Sequence, residues 1–65
     1  MNAVELRQKT DAELRVLLDT ELHEGFQLRM RHYTGQLDNT SQLKSNRRTI
    51  ARIRTILAQR AQASE

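Results

Sequence analysis

The sequence predicts an all-α fold: an antiparallel two-helix hairpin with a short N-terminal helix. Three observations predict it. The 65 residues include no Pro and only two Gly, so almost nothing interrupts a helix. Short polar residues are followed three positions later by Glu or Gln at Asn2–Glu5, Thr10–Glu13 and Asn39–Gln42. In that pattern one side chain caps a backbone amide and the other reaches back. Apolar residues then recur at helical spacing after the second and third of these starts.

The first start opens one or two turns, spanning residues 3–9. The second opens the main helix, residues 11–34, which gathers Leu14, Leu17, Leu18, Leu22 and Leu28 on one side. Gly25 lies among these leucines, with Phe26 and Tyr33 on their flank. Gly35 suits the left-handed position just past a helix end, and Leu37 is placed to fold back on the last turn. A link of about four residues, Gly35-Gln36-Leu37-Asp38, makes the long helices antiparallel neighbours.

The last helix, residues 40–61, places Leu43, Ile50, Ile53 and Leu57 at coiled-coil seam spacing, with Asn46 in the remaining seam position. Met30 and Ile56 fall away from the seam centres, toward solvent or a partner. Ala61–Glu65 is expected to fray. An Asn in a seam fixes register at a cost in stability, so Asn46→Val is expected to raise the melting temperature. Residues 1–65 read as a single helical-hairpin domain with a small core.

Composition removes several classes of function. Without Cys there is neither a disulfide framework nor a thiolate metal site. No apolar run is long enough to span a membrane, and the N-terminus carries no apolar signal region. The expected compartment is therefore cytoplasmic. His23-Glu24-Gly25-Phe26-Gln27 begins like the zinc-protease helix motif but has Gln27 where the second His must stand. His23 and His32 fall on opposite sides of one helix and cannot share a metal. Glu21 and Glu24 have no nucleophile or glycine-rich loop beside them. Neither catalytic residues, nor metal ligands, nor a cofactor are expected. Glu5-Leu6-Arg7 superficially resembles the first helix of all-α chorismate mutases, but those enzymes are longer and need further helices to enclose substrate.

The charge is uneven. Residues 1–25 carry six acids and three bases, net −3; residues 26–65 carry eight bases and two acids, net +6. No acid occurs between Asn39 and Ser64, where Lys44, Arg47, Arg48, Arg52, Arg54 and Arg60 all lie. Lys44, Arg48 and Arg52 recur every fourth residue and stack along one face, with Arg47 beside them. Like charges at that spacing oppose helix formation, and an external polyanion relieves them. Arginine suits bidentate phosphate contact. Arg29 and Arg31 extend the patch from before the turn. The competing reading is a small interaction module that dimerises through its seam, with an incidental basic face.

The chain resembles the bacterial large-subunit ribosomal protein twenty-nine family. The resemblance is carried in order by Glu5-Leu6-Arg7 with Thr10-Asp11-Ala12-Glu13-Leu14, then Phe26-Gln27-Leu28-Arg29-Met30, then Gly35-Gln36-Leu37. The most specific run is Arg47-Arg48-Thr49-Ile50-Ala51-Arg52-Ile53-Arg54-Thr55-Ile56-Leu57. Tyr33 and Asn46 depart from it: the family commonly has a small residue at the first position and an apolar or small one at the second. The resemblance implies a non-enzymatic constituent of the large ribosomal subunit, located in the ribosome of a bacterium or an organelle. It implies binding to large-subunit rRNA near the peptide exit tunnel, beside ribosomal protein twenty-three and where nascent-chain factors dock. The matching residues Arg47, Arg48, Arg52 and Arg54 would contact rRNA, with Lys44 and Arg29 as additions.

Overall fold

The computed structural model describes residues 2–36 and 40–63. They form α1 (Ala3–Arg7), α2 (Asp11–Tyr33) and α3 (Ser41–Ala63). The helices α2 and α3 pack along their length and α1 lies against α3, giving a rod of 46 × 17 × 16 Å.

The helix ends follow the capping chemistry. Asn2 Oδ1 accepts from the Glu5 amide at 2.9 Å and starts α1. At α2 the capping box is complete: Thr10 Oγ1 accepts from the Glu13 amide at 3.2 Å, and Glu13 Oε1 accepts from the Thr10 amide at 3.0 Å. Those hydrogen bonds favour the ionised carboxylate, so the Glu13 pKa is lowered, first by the Thr10 backbone amide and then by its hydroxyl. The extended backbone that Thr10 needs as a cap also stops α1 early, at Arg7 instead of residue 9. Gly35 has φ +76°, and the amides of Gly35 and Gln36 donate to the carbonyls of His32 (3.2 Å) and Arg31 (2.9 Å). This left-handed closure ends α2. The expected fold-back of Leu37 and the Asn39 cap lie outside the described residues. Helix α3 continues to Ala63, so Ala61–Ala63 are helical instead of frayed.

The core is narrow. Leu6, Leu14, Ile53 and Ile56 form its buried cluster, with Leu17, Leu18 and Leu57 packed against it. Leu28 and Leu43 are buried nearer the turn. The seam expectations need correction at Ile56, Ile50, Leu57 and Leu22. Ile56 is 4% exposed, and Thr49 is buried as well, while Ile50 and Leu57 are only partly covered. Helix α3 has two partners, α2 and α1, where seam spacing provides for one. Docking of α1 brings Leu6 onto the same core and covers Ile56, while Thr49 lies with Asn46 beside Glu21 and Glu24 of α2; the buried line of α3 is Leu43, Asn46, Thr49, Ile53 and Ile56. Thr49 meets the interface with its hydroxyl donating to the Ser45 carbonyl at 3.1 Å. Leu22, placed in the seam by its spacing, is an exposed residue of α2.

Asn46 is 5% exposed and fully engaged. Its Nδ2 donates at 2.8 Å both to the Glu21 backbone carbonyl and to Glu21 Oε2. Its Oδ1 occupies the space a side chain at position 25 would need. Gly25 is thus the complement of Asn46, and a residue type chosen for close approach explains a glycine in mid-helix.

Candidate nucleic-acid interface

Along α3, each residue advances about 100° around the axis. Opposite the buried line of Asn46, Thr49, Ile53 and Ile56 stand Lys44 and Arg48, with Arg52 on the flank beside α1 and Arg47 and Arg54 on the other flank. All five are exposed, and they cover an arc of roughly 160°. No acid occurs on this helix. The helix builds this face by placing its apolar residues inward and leaving charged ones the remaining perimeter.

The hairpin then adds a residue from α2. Arg29, Lys44 and Arg47 line a shallow groove of about 300 Å³ at the turn end, together with His32, Tyr33, Thr40 and Leu43. Arg29 therefore meets α3's basic row although it lies far from it in sequence. Arg52 lies in a different groove, with Ala3, Arg7 and Ile56. Of the six residues predicted from sequence, the structure brings three together at the turn end and distributes Arg48, Arg52 and Arg54 along the outer face.

Arg60 is separate from this surface. Its Nη1 donates to Asp11 Oδ1 at 2.6 Å and its Nη2 to the Arg7 carbonyl at 2.9 Å. It ties the end of α1 and the start of α2 to α3. Its position on the inward side of α3, in line with Ile53 and Ile56, was the available signal. Tyr33 also lines the turn-end groove, with His32, Thr40 and Leu43. Tyr33 follows Arg29 by four residues and so shares its side of α2.

Among the described residues, His, Cys, Asp and Glu form no group of three or more able to hold a metal ion. No helix among the described residues is long and apolar enough to cross a membrane.

The family model described as Ribosomal L29 protein matches residues 4–60. The chain belongs to the ribosomal L29 family. It is similar to the large ribosomal subunit protein uL29 of two strains of Nitratidesulfovibrio vulgaris, DP4 and Hildenborough. Identity is 52% over 60 residues in each case, covering 92% of this chain and 98% of the relative. Membership of the L29 family makes this chain a structural ribosomal protein of the large subunit and not an enzyme, and its place is the ribosome. The three-helix hairpin is the fold expected of that family.

Proposed function

We propose that the chain binds large-subunit rRNA through the outward face of α3, as a single unit over residues 1–65, beside the peptide exit tunnel. The observation that carries this reading is the acid-free arc of Lys44, Arg47, Arg48, Arg52 and Arg54, joined at the turn by Arg29. Exposed cations in such a row bind phosphates and release counterions. Recognition of this kind reads backbone and shape more than base sequence. Binding to the folded form also stabilises a hairpin with so small a core.

The location beside the tunnel, next to ribosomal protein twenty-three and near docking nascent-chain factors, rests on family likeness. The exposed apolar residues Leu22, Phe26 and Met30 support a protein neighbour, because they recur every fourth residue along the outside of α2.

The test is sedimentation of a tagged copy with dissociated large subunits, compared with the charge-reversal variant Arg48→Glu/Arg52→Glu. The wild-type chain is expected to travel with the large subunit through a moderate salt wash. The variant should remain free with helix content unchanged. Retention of the variant removes these two arginines from the site. A wild-type chain that stays at the top of the gradient as a free dimer replaces the rRNA reading with that of an interaction module.

A further inference from the structure

The groove at the turn end holds an element that phosphate contact does not use. Tyr33 is 76% exposed, the most exposed large apolar side chain among the described residues. Its ring lies near that of His32 in a tilted arrangement, centroids 6.2 Å apart at 52°. It stands in the groove lined by Arg29, Lys44 and Arg47. An aromatic ring in water is a poor use of an apolar surface. Three cations from two helices line the same groove, which favours an anionic cover at this end of the rod.

We propose that this groove is a binding site for an unpaired nucleotide: its base stacks on Tyr33 while the adjoining phosphates contact Arg29, Lys44 and Arg47. The inference rests on the rRNA reading above and adds to it a preference for single-stranded RNA at one end of the rod. A duplex offers phosphates but keeps its bases stacked on each other, whereas loops and bulges present a free base face. Stacking on an aromatic ring tolerates any base, because every base has a π-face. The step is non-covalent throughout, and the division of labour is plain: the outward face of α3 takes backbone, and Tyr33 takes a base.

The chain contains one Tyr and no Trp, so tyrosine emission reports on this ring alone. The full chain is titrated at low salt with a single-stranded adenosine 12-mer and with a 12-base-pair RNA duplex. Tyrosine emission should be quenched by the single strand and little changed by the duplex. Tyr33→Ala should weaken single-strand binding by about 10-fold. Its affinity for duplex should stay within about 2-fold of wild type. Tyr33→Trp should restore single-strand binding, and because position 33 is exposed the helix content should be equal in all three. Unchanged single-strand affinity in Tyr33→Ala, or equal losses on both probes, overturns the stacking site. If in that case Arg48→Glu/Arg52→Glu still abolishes RNA binding, the basic-face reading stands without it. Wild-type protein that binds neither probe overturns both.

Discussion

Replacing Gly25 with Ala should destabilise this protein, against the usual gain from removing a mid-helix glycine. The usual gain is about 1 kcal/mol. Here an added Cβ would collide with Asn46 Oδ1, well inside van der Waals contact, with Asn46 Cγ at 3.4 Å. Asn46 cannot swing aside freely, because Nδ2 is held by two bonds to Glu21. Displacing it forfeits one neutral hydrogen bond, about 1 kcal/mol, and one to a carboxylate, about 1–2 kcal/mol once discounted for the partial exposure of Glu21. The balance is a loss of about 1–2 kcal/mol. For a domain of this size that lowers Tm by roughly 5–15 °C.

Thermal unfolding followed by far-UV circular dichroism, run as a double-mutant cycle with Asn46→Ala, isolates the cause. With Asn46 present, Gly25→Ala should lower Tm. In the Asn46→Ala background the same change should raise it by about 5 °C, because only the propensity gain remains. A rise in both backgrounds, or additivity within about 0.5 kcal/mol, would refute the interlock. The same bonds reverse the expectation for Asn46→Val: the residue is partnered, so its loss should lower Tm.

Leu6 is fully buried against the core, and Leu6→Ala should cost about 2–4 kcal/mol, read as loss of amide-exchange protection in α1 and exposure of Ile56. Arg60→Ala removes a half-exposed ion pair and a bond to the Arg7 carbonyl, so about 0.5–1.5 kcal/mol should be lost, with exchange quickening in α1 before α3. The Glu13 pKa lies below its unfolded value of about 4.3, so the capping box contributes fully above that pH and is lost as pH falls through the folded pKa. Glu13→Gln should therefore flatten the acid limb of a stability profile between about pH 5 and pH 3. If about five phosphates are neutralised, log K for RNA should fall with log salt at a slope of roughly −3 to −5, and the slope should shrink in Arg48→Glu/Arg52→Glu.

What could be read from the residues divides along a physical line. Local chemistry was legible: Thr10 with Glu13 starts α2, and Gly35 ends it, because these signals act within one helical turn. The basic face was legible too, since charges four apart must share a side of a helix. Long-range geometry was less so. Ile56 is covered because α1 docks on α3, and a seam pattern for two helices has no place for a third. The partner of Asn46 lies 25 residues away, and that of Arg60 lies 49, so spacing on one helix did not indicate either bond. Arg29 joined Lys44 and Arg47 only through the turn.

The narrowness of the rod has one more consequence. Toward the turn, beyond the reach of α1, the rod is two helices wide, and the outer sides of α2 and α3 look in opposite directions. One side displays Phe26 and Met30 and the other Lys44 and Arg48. Whatever settles on one side leaves the other open. Under the function proposed above, the hairpin there has the form of a spacer between two bodies of unlike chemistry, with the short distance between them set by the side chains that hold α2 to α3.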